Sequence, residues 1–222
     1  MSIIKLENIN KTYGSGEVSV NALKGINLTI EEGDFLSIMG PSGCGKSTLL
    51  NIIGCIDKPT DGEYLLADKP TSKLSFNELA TTRNEQISFI FQNFALINNL
   101  TVIDNVMLPL MIRSISKKKM KEKALNILSK LDILDKKDKK VSQISGGQQQ
   151  RVAIARSLVQ ESKIILGDEP TGSLDQENGE IIMNLLKELS EKEGKTIIVV
   201  THDSKVSEFS SKKIVMKDGL VV

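Results

Sequence analysis

The sequence predicts an α/β fold: a core with a mainly parallel sheet, an antiparallel β subdomain and an inserted α-helical lobe. Three observations predict it. Four short apolar runs, Phe35 to Met39, Ile87 to Phe91, Ile164 to Leu166 and Thr196 to Val200, have the length and the β-branched or aromatic content of buried strands. Helical patterns fall between them, and strands alternating with helices imply a parallel sheet. Residues 93–160, by contrast, are lysine-rich and largely helical in pattern, as an inserted lobe would be.

Taken in order, Ile3 to Glu7 and Ile26 to Ile30 alternate apolar and polar residues, which suits a half-exposed antiparallel pair. Phe35 to Met39 then runs into a glycine-rich segment, and Ser47 to Cys55 reads as a helix. Ile87 to Phe91 ends at Gln92, and Thr101 to Val159 is helical in pattern. Ile164 to Leu166 leads to Asp168 and Glu169. Gly179 to Leu189 sets Ile181, Ile182, Leu185, Leu186 and Leu189 on one helical face, and Thr196 to Val200 leads to His202. Ligands bind at the carboxyl ends of strands in such sheets, so the four polar ends should meet at one edge. With 222 residues the chain reads as one domain, 1–222: a core lobe of about 1–92 and 161–222, and a helical lobe of about 93–160.

Composition narrows the class. Hydrophobic content of 40% and charged content of 26% are those of an ordinary globular chain. No apolar stretch reaches the roughly 18 residues of a membrane span, and the charged start lacks a secretory apolar region, so a cytosolic location is expected. Two cysteines, Cys44 and Cys55, make no disulfide framework, and a single histidine leaves no Cys/His metal spacing. Net charge is +1 but uneven: residues 111–140 carry eleven Lys/Arg against four Asp/Glu, a local +7, leaving 18 against 24, or −6, elsewhere. That stretch fits a solvated helical surface or a face turned toward an anionic leaflet. Nucleic acid is not an expected partner, because aromatics are 4% and tryptophan is absent.

Gly40-x-x-x-x-Gly45-Lys46-Ser47 matches the phosphate-loop pattern and lies where it must, between a buried strand and a helix. The core is therefore read as that of a P-loop NTPase, with Gly40, Pro41, Ser42, Gly43, Cys44, Gly45, Lys46, Ser47 and Thr48 as the nucleotide cradle. Glycines expose backbone N–H groups to phosphates, Lys46 reaches the outer phosphates, and the Ser47 hydroxyl is placed to ligate Mg²⁺. Asp168, at the end of a buried strand facing that loop, suits a Mg²⁺-bound water, and Glu169 is the candidate that polarises the attacking water. A lone histidine is more often structural, but the position of His202 at a convergent strand end reverses that, and a neutral imidazole there could donate a hydrogen bond to the γ-phosphate. Tyr13, by residue type alone, is a partly buried loop aromatic.

Ile144 to Gln148 reads Ile-Ser-Gly-Gly-Gln ahead of an apolar helical pattern. Ser145 followed three residues later by Gln148 is a capping box. Gly146 and Gly147 in the first turn weaken a helix yet let a ligand approach bare backbone, so the same segment could bind an anion. Cap and anion site both remain open on the residues themselves.

Taken together these motifs resemble the nucleotide-binding domain of ATP-binding-cassette (ABC) transporters from end to end. The phosphate loop, Gln92, Ser145-Gly-Gly-Gln148, Ile-Ile-Leu-Gly-Asp168-Glu169, Ser173-Leu-Asp175 and His202 occur in the family's order. The resemblance implies an ABC ATPase fold with ATP and Mg²⁺ bound. It implies Tyr13 stacked on adenine, Gln92 on Mg²⁺ and the attacking water, and His202 as a switch at the γ-phosphate. Ser145, Gly147 and Gln148 would then hold the ATP of a second copy in a head-to-tail pair, with Asp175 linking the two sites. Lys11 to Glu17 and Leu49 to Gly54 look like the macrolide-exporter, lipoprotein-release and antimicrobial-peptide-resistance subgroup, in which the ATPase docks beneath an integral membrane permease at the inner face of the cell membrane. The expected function is ATP hydrolysis powering such an exporter; regulation of an extracytoplasmic enzyme, or a small-solute importer, are the alternatives. Ile144 and Gly167 depart mildly from the family pattern without removing a catalytic group. A docking groove is expected between Gln92 and Leu110, around Phe94, Leu96, Leu100 and Val106, unless those residues are lobe core.

Overall fold

The structure is a computed structural model and describes residues 1–222, the side chain of Glu17 excepted. Two long strands, β1 (Ser2–Tyr13) and β2 (Val20–Glu31), pair antiparallel, and β3 (Phe35–Met39) leads into α1 (Lys46–Ile53). Next come β4 (Asp61–Leu66), β5 (Lys69–Pro70), α2 (Phe76–Gln86) and β6 (Ile87–Ile90). The lysine-rich part holds α3 (Val102–Met107), α4 (Lys117–Lys130) and α5 (Gly146–Leu158). The chain closes with β7 (Ile164–Asp168), α6 (Gln176–Glu193), β8 (Thr196–Thr201), α7 (Ser204–Glu208), β9 (Lys212–Lys217) and β10 (Leu220–Val221).

One sheet has the order β2-β1-β4-β5 and is antiparallel. The other runs β10-β9-β3-β8-β7-β6, parallel throughout except for β10, which returns antiparallel to β9. Successive strand residues point to opposite faces, and the parallel strands divide accordingly. Ile164, Leu166, Ile198 and Val200 join one core with Leu49, Leu50, Ile52 and Ile53 of α1 and the inner face of the antiparallel sheet. Ile165, Ile197 and Val199 join the other, with Val102 and Val106 of α3, Ile154 of α5 and Ile182 and Leu186 of α6. Helices on both faces are why these strands read as continuous apolar runs rather than alternating ones.

Several expected boundaries move, each for a local reason. The first strands are about twice as long as their alternation, because Asn8 at φ 51° and Gly25 at φ 65° introduce irregularities that reset the period. The helix read as Ser47 to Cys55 stops at Ile53: Gly54 caps it and Cys55 turns left-handed at φ 54°. A Cβ on Gly54 would lie 2.0 Å from Phe89 Cζ, on a ring stacked 5.3 Å from Phe91. Thr101 to Val159 is broken by 3₁₀ turns and loops into three helices rather than one run. α4 presents Lys117, Lys118, Lys119 and Lys121 to solvent. Among the described residues, no helix is long and apolar enough to cross a membrane.

Candidate active site

The carboxyl ends of β3, β6, β7 and β8 lie along one edge of the parallel sheet, as the strand ends predict. A cavity of ≈ 550 Å³ opens there. Ser42, Gly43, Gly45, Lys46, Ser47 and Thr48 line it from the loop, and Gln92, Asp168 and Glu169 line it from the ends of β6 and β7. Gly40, Pro41 and Cys44 shape the loop without lining the cavity. Gly40 at φ 152° could not carry a side chain, since a Cβ would lie 2.2 Å from the Met216 carbonyl oxygen. Gly45, at φ 102°, opens α1, and a Cβ there would lie 2.5 Å from the Ala22 carbonyl oxygen. These glycines bring bare backbone and the first amides of α1 to one concave surface, which is what a phosphate requires.

Lys46 is 9% exposed, and its Nζ donates to the carbonyls of Gly40 (2.7 Å) and Pro41 (2.8 Å). Its charge is thus held by the loop it would hold a phosphate with. Burial pushes the Asp168 carboxyl above its ordinary value and the neighbouring Glu169 charge adds to this, while Ser47 and Lys46 pull the other way. A cation beside Asp168 would relieve that strain. Ser47, Asp168 and Gln92 supply a hydroxyl, a carboxylate and an amide oxygen, the hard oxygen donors that Mg²⁺ takes alongside waters and phosphate oxygens. The residues present therefore fit the metal.

Glu169 stands at φ 46°, a region a residue with a side chain occupies only when its surroundings hold it there. Its N–H donates to the Val200 carbonyl (2.9 Å), and its own carbonyl accepts from Gly172 N (3.0 Å). Both carboxylate oxygens are engaged: Gln92 Nε2 donates to Oε2 at 3.1 Å, and His202 Nδ1 lies 2.6 Å from Oε1. A carboxylate accepts, so that proton sits on Nδ1. The contact uses the one N–H of a neutral imidazole, so a neutral His202 cannot donate to a phosphate while it holds Glu169. With its side chain 70% exposed, His202 has room to turn.

Tyr13 does not line the cavity. Its hydroxyl donates to Asp57 Oδ2 (2.9 Å), and Lys11 Nζ, itself paired with Asp57 at 2.7 Å, sits 4.8 Å from the ring centroid. Burial and the Asp57 carboxylate raise the Tyr13 phenol above its usual range.

Ser145, Gly147 and Gln148 also lie apart from the cavity. Ser145 caps α5, accepting from Gln148 N at 3.4 Å, while Gln148 Oε1 accepts from Ser145 N at 3.1 Å, so the capping box forms as the spacing predicts. Ser145 and Gly146 are exposed at that helix start. Asp175 caps α6, held below the usual carboxylate range by the Asn178 backbone and side-chain amides.

Sequence reasoning missed one wall of the cavity, made by Val20, Asn21, Ala22, Lys24, Asp218 and Gly219. The Asp-Gly pair at 218–219 is a hairpin turn signal and could have found β9 and β10; Lys24 offered none. The expected docking residues divide between core and surface. Val106 on α3 is fully buried and Leu96, ahead of that helix, packs against the same core, whereas Phe94 and Leu100 are half-buried. A groove of ≈ 370 Å³ takes Ala95 and Pro109 from that stretch together with Ile56, Arg83, Phe89 and Ile112.

A parallel sheet with a glycine loop, a buried lysine and a carboxylate pair at its strand ends defines a P-loop nucleotide hydrolase. The family model for ABC transporters matches residues 23–172. The chain belongs to that family, as an ATP-binding and ATP-hydrolysing cassette. It is 51% identical to the uncharacterized ABC transporter ATP-binding protein MJ0796 of Methanocaldococcus jannaschii, over 99% of this chain and 95% of that one. A macrolide export ATP-binding/permease protein MacB of Aggregatibacter actinomycetemcomitans is 46% identical over 100% of this chain, which spans 34% of that longer protein. Among solved structures, the dimeric post-hydrolysis state of MJ0796 bound to ADP and Pi is similar with a TM-score of 0.92 and 50% identity, over 98% of this chain and 96% of that chain.

Proposed function

We propose that two copies of this chain bind two ATP molecules head to tail, each between the phosphate loop of one copy and the Ser145–Gln148 segment of the other, and hydrolyse them to power an exporter-type membrane permease. One observation carries the first half: the cavity gathers the hydrolytic groups of one chain, while the exposed cap of α5 lies outside it. An anion-suited helix start that lies outside its own chain's cavity is suited to a partner's ATP. The similar MJ0796 cassette is dimeric.

In this reading Tyr13 stacks on adenine through the ring face opposite Lys11, and Lys46 exchanges the loop carbonyls for outer phosphates. Mg²⁺, when bound, offsets charge on the phosphate oxygens. Ser47, Asp168 and Gln92 hold it. Glu169 orients the attacking water and takes its proton as the water oxygen bonds to the γ-phosphorus and the bond to the leaving ADP oxygen breaks. His202 turns its N–H from Glu169 to the γ-phosphate, which frees the carboxylate for the water. Binding thus closes the pair and hydrolysis reopens it.

The permease would dock in the groove beside Ile56, Phe89 and Ile112, where Arg83 and Arg156 add positive charge to an apolar floor. The likeness to a protein whose name joins ATP-binding and permease supports this partner. The chain would then lie in the cytoplasm, peripheral on the inner face of the cell membrane, with one core lobe and one helical lobe flanking that groove. Purifying the chain with its membrane partner tests the exporter reading. The expected partner is a permease with a large extracytoplasmic domain; one requiring a separate solute-binding protein would overturn that reading.

A further inference from the structure

Along α5, residues one turn apart have opposite surroundings. Ser145 and Gly146 are exposed, whereas Gln150 is 1% exposed and its Nε2 donates to the carbonyl oxygen of Pro170. A carbonyl only accepts, which fixes the amide nitrogen on that side. Oε1 has no hydrogen-bond partner among the described residues. Burying an amide with one unsatisfied end costs stability that methionine, of similar volume, would not, so packing alone gives no reason for glutamine here.

Pro170 directly follows Asp168 and Glu169. A Cβ placed on Gly167 would lie 3.2 Å from Pro170 Cγ, so the proline is packed closely on β7. The turn opens at the left-handed Glu169, carries Pro170 as its second residue and closes at Gly172. Near the start of α5, a Cβ placed on Gly147 would meet Leu174 and Asn178, the latter in α6, only at 4.0 Å, so α5 passes close to the segment that follows the turn. Gln150 is the polar link from α5 to the Glu169 turn itself.

We propose that Gln150 is a positioning residue that ties α5 to the Asp168–Gly172 turn of its own chain, so that engagement of α5 on the partner's ATP sets Glu169 for hydrolysis of the chain's own ATP. The inference rests on the two-copy reading above. Gln150 touches neither ATP nor water; it passes the engagement of α5 at one site to the Glu169 turn of the other.

Two variants test it. Gln150→Met keeps the volume and removes the link, and Gln150→Asn keeps the amide but falls one methylene short. ATP-driven association is read in a Glu169→Gln background, and kcat and KM for ATP in the otherwise unaltered chain. Both variants are expected to associate normally with unchanged KM and to lose about five- to tenfold in kcat, the scale of one buried hydrogen bond. Association and kcat weakening together would mark a purely structural role and overturn the proposal. An unchanged kcat would overturn it too. Should Gln150→Met fail to fold, the same readings on Gln150→Asn decide. Failure of the Glu169→Gln chain to associate with Gln150 intact would overturn the two-copy reading, and this inference with it.

Discussion

Glu169→Gln is expected to cut ATP turnover by about 10² to 10⁴ while ATP stays bound. The amide keeps the size and shape of the carboxylate, and its oxygen can still accept the hydrogen bond from Gln92 Nε2. What it loses is basicity, the property that draws a proton from water. ATP-loaded pairs should therefore accumulate, because closing needs only binding and reopening needs hydrolysis. Steady-state phosphate release and sedimentation in the presence of ATP measure the two effects separately. Wild-type turnover in this variant would remove Glu169 from its role.

Ser145→Arg is expected to abolish ATP-driven association and hydrolysis and to leave a folded monomer that still binds ATP. Losing the cap hydroxyl costs about 1 kcal/mol, small beside the stability of a domain this size. Arginine adds bulk and length at an exposed position on the surface assigned to the partner's ATP. Because Ser145 lies outside the cavity that Lys46 lines, binding by the monomer should survive. Filter binding of radiolabelled ATP checks this, and loss of binding by the monomer would count against the assignment of the segment to the partner.

The parts of this site legible from sequence share one property: each is a polar residue placed where a buried strand ends. Phe35 to Met39 before the glycine loop, Ile164 to Leu166 before Asp168 and Thr196 to Val200 before His202 announce both strand and function, because burial on two faces leaves no charged residue inside the run and only the small Ser37 and Thr196 as polar ones. The capping box at Ser145 was legible for a similar reason, since its geometry is local. Contributions without local signature escaped. α2 has a capping box at Ser75 and Glu78, yet it buries only Leu79, so no apolar stripe marks it. Lys24 and Asn21 reach the cavity only because β2 passes beside the phosphate loop, a long-range placement that no window of sequence reports. The hydrogen bond between His202 and Glu169 spans 33 residues and sets which nitrogen carries the proton, something visible only once β7 and β8 pair.

Mixing two inactive chains tests the head-to-tail arrangement most directly. Lys46→Ala disables a phosphate loop and Ser145→Arg disables a cap, so in pairs of either variant alone both ATP sites carry a lesion. In a head-to-tail mixed pair one site carries both lesions and the other is intact. Hydrolysis by the mixture should then rise above the sum of the separate chains, with one ATP held per mixed pair. If each chain used its own Ser145–Gln148 segment on its own ATP, every site would stay damaged, and a mixture no more active than that sum would contradict the account.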